Sequence, residues 1–303
     1  MHQSSALLRR TSGRYYHANM NPIGITTWVW TAPLTTADFP DIARHVAHLG
    51  FDLVEVPVER PGDLDYARLK GALDDTGLAA SVCAVMSPDR DLVHPDDDIR
   101  RNGMAYVRHC IDAAHALGAR NVIGPIYSAV GRVWQPSPDE RARDVDLLAR
   151  QLRTLAGYAA DRDVVLCLEP LNRFETSFIN IVDQAIEVVD RVGHASCGLL
   201  LDTFHMNIEE RSLGDAIRAA GPRMKHLHAC ENDRGTPGQG HVPWPEVADA
   251  CRAIRYDGPV VIETFNQGIK TMARAVAMWR PLVPSPEFLA TEGLRHLRRL
   301  FNP

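Results

Sequence analysis

The stretch DVVLCLE, residues 163–169, is an apolar, β-branched run of strand length that ends in a carboxylate. Seven further runs along the chain share this length and apolar character. They are IGITTW (23–28), DLVEVPV (52–58), LAASVCAV (78–85), NVIGPIY (121–127), CGLLLD (197–202), MKHLHA (224–229) and PVVIET (259–264). Runs as continuously apolar as these are typical of strands that are covered on both faces. The sequence therefore predicts eight buried strands.

Segments with helical periodicity lie between these runs, and several end in a glycine, where helices commonly stop: Gly50, Gly118 and Gly193. Strict alternation of strand and helix predicts a parallel sheet with right-handed crossovers. Eight such units close into a barrel, so we predict an α/β protein with a single (β/α)8 TIM barrel domain over residues 21–303. An open doubly wound sheet is the alternative, but TTWVWTAP follows the first strand in place of a glycine-rich nucleotide turn.

The composition of the chain limits the classes of substrate and partner that we expect. The chain has 303 residues, 45% of them hydrophobic, and a formal charge of -5 without any long block of lysine and arginine. We therefore expect a small-molecule substrate and neither a nucleic-acid nor a membrane partner. The six cysteines are scattered without a CxxC spacing, which favours reduced thiols and a cytoplasmic protein.

The first 20 residues differ from the rest. MHQSSALLRRTSGRYYHAN contains no aspartate or glutamate, carries three arginines and is followed by a second methionine, Met20. The segment lacks the apolar core of a secretory signal. We interpret residues 1–20 as a disordered N-terminal extension rather than as a targeting signal.

Four consecutive predicted strands end in a residue that can bind a metal. These residues are Glu169, Asp202, His228 and Glu263. Neighbouring strands lie about 4.8 Å apart, so side chains from four adjacent strand ends of a barrel can converge. A single acidic residue at a strand end is commonly a helix cap or a salt-bridge partner, but four in succession favour one divalent cation. Mn²⁺ is the favoured ion, Mg²⁺ and Co²⁺ suit the same donors, and His226 is an alternative ligand to His228.

The segments LEPLNRFET, LLDTFHMNIEE, HLHACENDRGTPGQGHVPW and VVIETF together resemble the ketose 3-epimerases, such as D-tagatose 3-epimerase and D-psicose (allulose) 3-epimerase, of the xylose-isomerase-like barrel superfamily. The resemblance extends from about Met20 to the end of the chain and is most specific in residues 166–266. It implies that Glu169, Asp202, His228 and Glu263 are the metal ligands. It also implies that Glu175, His205 and Arg234 hold the hydroxyl groups of the sugar.

The chemistry of C3 epimerisation fits two of these residues. The reaction removes a proton next to a ketone, stabilises an enediolate and returns a proton to the opposite face. Glu169 and Glu263 come from the fifth and eighth strands and can flank a flat intermediate as paired acid/base residues. His205 and Arg234 then position the substrate. Glu175 orients a hydroxyl group, or alternatively pairs with its neighbour in the loop, Arg173.

The loop SAVGRVWQPSP, residues 128–138, is long and contains a glycine, and we predict that it closes over the sugar with Trp134 as a substrate contact. The substrate is a free ketose of the D-tagatose, D-allulose/D-fructose or L-ribulose type. Arg234, Lys270 and nearby glycines are groups that can bind a phosphate, so a phosphorylated sugar remains an alternative substrate. Barrels of this kind commonly pair, so we expect a homodimer or homotetramer.

Three other functions remain open at this point. An aldose–ketose isomerase, including the hydroxypyruvate type, would use the same metal site on C1 and C2. A barrel endonuclease would need additional histidine and aspartate ligands and a basic face, neither of which the sequence indicates. A catalytically inactive sugar-binding protein would have little reason to keep every acid/base residue.

Overall fold

The computed structural model describes residues 8–11, 14–17 and 20–302. Two short strands, β1 (Leu8–Thr11) and β2 (Arg14–His17), pair with each other in antiparallel orientation. The remainder of the predicted N-terminal extension, residues 1–7, 12–13 and 18–19, lies outside the described residues. The interpretation of residues 1–20 as a disordered extension therefore stays a prediction.

Eight parallel strands form a closed barrel in the order β10-β3-β4-β5-β6-β7-β8-β9. They are β3 (Ile23–Thr26), β4 (Leu53–Val58), β5 (Ala79–Ala84), β6 (Asn121–Gly124), β7 (Val165–Leu168), β8 (Cys197–Asp202), β9 (Met224–His228) and β10 (Val260–Ile262). Each lies within one of the eight predicted runs. The pairing of β10 with β3 closes the ring, so the single TIM barrel is confirmed and the open sheet is excluded.

Ten α-helices surround the barrel within the described residues. They are α1 (Phe39–Leu49), α2 (Tyr66–Thr76), α3 (Asp97–Leu117), α4 (Pro138–Ala160), α5 (Val182–Val192), α6 (Thr203–Glu209), α7 (Leu213–Ala220), α8 (Trp244–Ala253), α9 (Lys270–Ala275) and α10 (Pro286–Phe301). Gly50, Gly118 and Gly193 end three of them in the left-handed conformation, as predicted. None of the described helices is long and apolar enough to cross a membrane.

The strands alternate between two apolar clusters. On β5, Val82 and Ala84 join the large core beneath the helices, while Cys83 between them joins a smaller cluster with Ile123 and Cys167 of the next two strands. Alternation of this kind places the smaller cluster in the barrel interior. All six cysteines are buried and unpaired, as expected for reduced thiols.

Candidate active site at the barrel mouth

The structure brings the four predicted metal-binding residues to the carboxyl ends of adjacent strands. Asp202 and His228 are the last residues of β8 and β9 and lie opposite each other in the strand pairing. Glu169 directly follows β7, and Glu263 directly follows β10. All four side chains are buried. In TIM barrels this edge is where active sites are built.

Nδ1 of His228 is the point on which the carboxylates converge. It lies 3.8 Å from Oε1 of Glu169, 4.0 Å from Oδ2 of Asp202 and 3.6 Å from Oε1 of Glu263. This nitrogen is buried and makes no hydrogen bond in the described part of the chain. Three carboxylate oxygens around one unpartnered imidazole nitrogen are a donor set that suits a divalent cation such as Mn²⁺ or Mg²⁺.

The electrostatics of the cluster also favour a cation. Burial, together with the nearby charges of Glu263 and Asp202, raises the pKa of Glu169 to about 8, and burial raises the pKa of Asp202 to about 6 in spite of Arg234. Burial alone would lower the pKa of His228, but the negative charges of Glu55 and Glu263 raise it well above its ordinary value. Glu169 therefore retains a proton near pH 7 in the metal-free protein, and a bound cation would displace it.

Arg234 brings a positive charge into the same cluster. Its Nη1 donates to Oε2 of Glu263 at 2.5 Å and lies 3.4 Å from Oδ2 of Asp202, while Nη2 lies 3.4 Å from Nε2 of His205. The backbone of Arg234 has a φ of 66°, which is uncommon for a residue other than glycine. Thr264 holds this conformation by donating its hydroxyl to the carbonyl of Arg234. Backbone strain of this kind is frequent at functional sites.

His205 is held in one orientation by the loop after β7. The backbone N–H of Asn172 donates to Nδ1 of His205 at 3.0 Å, so the ring proton lies on Nε2. Nε2 in turn lies 3.7 Å from Oδ2 of Asp202 and 3.9 Å from Oε1 of Glu169. Burial, with the charges of Arg234 and His228, lowers the pKa of His205 well below its ordinary value. His205 is therefore a neutral hydrogen-bond donor at the edge of the cluster.

Glu175 is joined to this arrangement through Asn172, whose side-chain amide donates to Oε1 of Glu175 at 2.9 Å. The alternative that Glu175 pairs with Arg173 is wrong, because Arg173 forms its ion pair with Glu209 at 2.9 Å. The carboxylate of Glu175 thus belongs to the chain of contacts that ends on His205.

Trp134 lies in the loop between β6 and α4, as expected, and is half-buried. Its ring stacks on the ring of Phe178 with a centroid distance of 5.3 Å. The guanidinium of Arg132 lies over the Trp134 ring, with its Cζ 3.8 Å from the ring centroid. The neighbouring Gly131 donates its N–H to the carbonyl of Glu175 at 2.7 Å. These contacts tie the loop to the Glu175 segment, and contact between Trp134 and a sugar stays a prediction.

Sequence reasoning missed Glu55, which lies inside β4 and is fully buried. Its carboxylate accepts a hydrogen bond from Nε2 of His228 at 3.1 Å and lies 3.3 Å from Nε2 of His226. Burial alone would raise the pKa of Glu55, but the two histidines hold it well below its ordinary value. The signal in the sequence was the glutamate inside the otherwise apolar run DLVEVPV. A carboxylate is buried in such a strand only when a positive charge or a hydrogen-bond donor is buried beside it.

Cys230 is a second residue that the sequence did not single out. Its Sγ lies 3.0 Å from the backbone carbonyl oxygen of Glu263 and 4.0 Å from Oε2 of the same residue. With Asp202 and Glu263 it forms a group whose candidate ligand atoms all lie within 4.8 Å of one another. In the sequence Cys230 was grouped with the other scattered thiols, and nothing in the segment HACENDRG marked it as a neighbour of Glu263.

A closed parallel barrel whose strand ends gather carboxylates and histidines has the architecture of the (β/α)8 barrel enzymes. Residues 43–300 match the model of the xylose isomerase-like TIM barrel family. The chain is 34% identical to D-psicose 3-epimerase of Ruminiclostridium cellulolyticum over 81% of its own length and 85% of that protein. It is 30% identical to L-ribulose 3-epimerase of Methylomonas sp. over 90% of its length and 95% of that protein.

Solved structures agree with the sequence comparison. The crystal structure of D-allulose 3-epimerase from Methylomonas sp. in complex with D-allulose superposes with a TM-score of 0.87 at 30% identity, covering 93% of this chain and 98% of that one. The chain therefore belongs to the xylose isomerase-like TIM barrel family, and within it to the ketose 3-epimerases, which are enzymes of the isomerase class.

Proposed function

We propose that this protein epimerises a free ketose at C3, with a substrate of the D-tagatose, D-allulose/D-fructose or L-ribulose type. The relatives that cover most of the chain carry the names D-psicose 3-epimerase and L-ribulose 3-epimerase, and one solved relative holds D-allulose. The observation in the molecule itself that carries the proposal is the convergence of Glu169, Asp202 and Glu263 on the unpartnered Nδ1 of His228.

The proposed cofactor is one divalent cation held by Glu169, Asp202, His228 and Glu263. Mn²⁺ is our first choice, and Mg²⁺ or Co²⁺ would suit the same oxygen and nitrogen donors. When bound, the cation would supply Lewis-acid stabilisation of the negative charge that develops on the substrate oxygens.

Proton transfer is assigned to Glu169 and Glu263. The two carboxylates reach the mouth from β7 and β10, which are separated around the barrel by β8 and β9. One glutamate removes the C3 proton from one face, and the other returns a proton to the opposite face of the enediolate. Both side chains are buried, and this excludes bulk water, which would otherwise compete for the reactive carbon.

Four further residues are assigned to binding the sugar: Glu175, His205, Arg234 and Trp134. His205 presents an N–H, Arg234 presents a guanidinium, and Glu175 presents an acceptor oxygen, which together match the hydroxyl groups of a ketose. Trp134 would cover an apolar face of the sugar from the loop after β6.

The experiment that tests this function is a product analysis. Purified protein with Mn²⁺ is incubated with a panel of free ketoses, and the products are separated by chromatography. We expect the C3 epimer of at least one ketose. Formation of an aldose instead would favour the alternative, an aldose–ketose or hydroxypyruvate-type isomerase that uses the same metal site, and turnover of phosphorylated ketoses alone would contradict a free-sugar substrate.

We also propose a homodimer or homotetramer in the cytoplasm. Phe174 and Trp279 are 76% and 75% exposed and offer apolar surface that a second copy of the chain could cover. Six unpaired thiols fit a reducing compartment. Light scattering tests the assembly, and the mass of a monomer would refute it.

A further inference from the structure

Glu55 reaches across the interior of the barrel. Its side chain starts from β4, and its Oε1 accepts from Nε2 of His228 on β9, three positions away around the ring of strands. Its Oε2 accepts from the hydroxyl of Ser81 on β5 at 2.8 Å and lies 3.3 Å from Nε2 of His226 on β9. One fully buried carboxylate thus connects three strands one layer below the mouth.

The protonation pattern around this carboxylate follows from the inventory of donors. The side-chain amide of Asn121 contacts Nδ1 of His226 at 3.3 Å, and an amide NH₂ can only donate, so the proton of His226 lies on Nε2, the nitrogen that is 3.3 Å from Oε2 of Glu55. An ionised carboxylate can only accept, so Nε2 of His228 also carries a proton. Nδ1 is then the ring nitrogen of His228 that faces Glu169, Asp202 and Glu263, and it is the nitrogen that would bind a cation once its own proton is displaced.

We infer that Glu55 is a positioning residue for the metal site: through its hydrogen bond to Nε2 it fixes the ring orientation and tautomer in which His228 offers Nδ1 as a ligand. This inference rests on the proposed metal site. Glu55 is separated from the mouth by the His228 ring, so it acts through that ring and not by contact with the sugar. Carboxylate partners of metal-binding histidines act in this way in metalloenzymes generally.

The cost of the arrangement supports a functional origin. A buried carboxylate is expensive, and polar groups of this kind can often be replaced by packed apolar residues without loss of stability. Stability alone therefore gives little reason to bury Glu55, His226 and His228 together beside the apolar cluster of Cys83, Ile123 and Cys167. A need to orient one imidazole nitrogen does give a reason.

The test is Glu55→Gln, measured first as Mn²⁺ affinity without any turnover. Glutamine keeps the shape but offers a single acceptor oxygen, so its amide must face the N–H of either His226 or His228. Free hydrated Mn²⁺ is followed by electron paramagnetic resonance during titration of the metal-free protein. We expect the Kd for Mn²⁺ to rise about 10- to 100-fold.

Two further readouts separate positioning from other roles. The kcat of Glu55→Gln should recover as Mn²⁺ is raised from limiting to saturating concentration, because Glu55 acts on binding of the ion and does not touch the substrate. In the Mg²⁺-loaded protein, ¹⁵N NMR should show the Nε2-protonated tautomer of His228 in wild type and an altered tautomer or ring signal in the variant.

The matched control is Asp91→Asn. Asp91 is also a fully buried carboxylate with three donors, namely the N–H groups of Val93 and Ala129 and the guanidinium of Arg132. The control should lose stability but keep the wild-type Kd for Mn²⁺. Loss of affinity in both variants would mean a general effect of removing buried charge and would overturn the inference.

An Mn²⁺ Kd of Glu55→Gln within about twofold of wild type would also overturn it, while leaving the metal site intact. Failure of the wild-type protein to bind Mn²⁺ would instead contradict the proposed function. If Glu55→Gln does not fold, the Kd for Mn²⁺ of Ser81→Ala is measured in its place. This substitution removes one hydrogen-bond donor from the same carboxylate and does not alter His228. The loss of one hydrogen bond should raise the Kd about threefold to fivefold, and an unchanged Kd there would refute the inference.

Discussion

Substituting the two proposed acid/base residues by glutamine tests the chemistry directly. Glu→Gln removes the ability to take up a proton and keeps an oxygen in place. We expect Glu169→Gln and Glu263→Gln each to lower the epimerisation rate at least about 100-fold, the usual scale of acid/base contributions. That loss corresponds to about 2.7 kcal/mol of activation free energy.

The structure distinguishes the two variants by their stability in the metal-free protein. Glu263→Gln weakens a buried, charge-assisted contact, since Oε2 of Glu263 lies 2.5 Å from Nη1 of Arg234. Hydrogen bonds to charged groups contribute about 1.5–3 kcal/mol, and Asp202 remains as a second partner at 3.4 Å, so we expect a loss of about 2 kcal/mol. Glu169→Gln should be nearly neutral or stabilising near pH 7, because burial raises the pKa of Glu169 to about 8 and its charge is unfavourable there.

Urea unfolding in the presence of a chelator measures both free energies. Glu246→Gln is the control: Glu246 accepts from Ser212 and Gly214 on the helical shell, and its loss should leave the rate unchanged. NMR in D₂O then follows exchange at C3. Each catalytic variant should lose epimerisation, and one of them should still exchange the C3 proton from the face it retains. Near-normal epimerisation in both variants would refute the paired-glutamate mechanism.

The remaining predictions concern the metal, its protons and the loop after β6. Chelation should abolish turnover, and Asp202→Ala should weaken retention of metal by elemental analysis and remove the rise in Tm that Mn²⁺ gives the wild type. Mn²⁺ binding should tighten as the pH rises from about 6 to 8, because Glu169, whose pKa is raised to about 8, and His228, whose pKa is also raised, must release protons to bind the ion. Calorimetry in buffers of different ionisation enthalpy should measure the release of at least about one proton per bound ion at pH 7. A pH-independent affinity without proton release would contradict this prediction. Trp134→Ala should raise KM for the ketose about 10-fold or more with a smaller change in the Kd for Mn²⁺, and an unchanged KM would remove Trp134 from the substrate site.

The barrel and the location of its site follow from local patterns in the sequence. An apolar run of strand length can be recognised from the local sequence alone. Eight such runs separated by helical segments are compatible with only a few sheet topologies. In a barrel the carboxyl ends of the strands carry the active site, so Glu169 and Asp202 could be placed near each other although they are 33 positions apart in the sequence. Their convergence is a consequence of the fold and not of their spacing.

The partners of these residues could not be predicted in the same way. Glu55 contacts His228 across 173 positions of sequence, and the pairing of Arg173 with Glu209 overrides the proximity of Arg173 to Glu175. Contacts of this kind depend on the register between strands and on loop conformation, such as the positive φ of Arg234. No periodicity in the sequence encodes these features.

The surroundings of Glu169 and Glu263 differ, as the proposed paired-glutamate mechanism requires. Glu263 accepts a charge-assisted hydrogen bond from Arg234, whereas Glu169 lies 3.8 Å from Nδ1 of His228 and 3.9 Å from Nε2 of His205. Burial raises the pKa of Glu169, so in the metal-free protein this carboxyl group retains a proton near pH 7. A reaction that takes a proton from one face and returns one to the other needs one group able to accept while its partner donates. If either epimer serves as substrate, the proposed mechanism requires the two groups to exchange roles, and their Oε1 atoms lie 3.8 Å and 3.6 Å from the same atom, Nδ1 of His228.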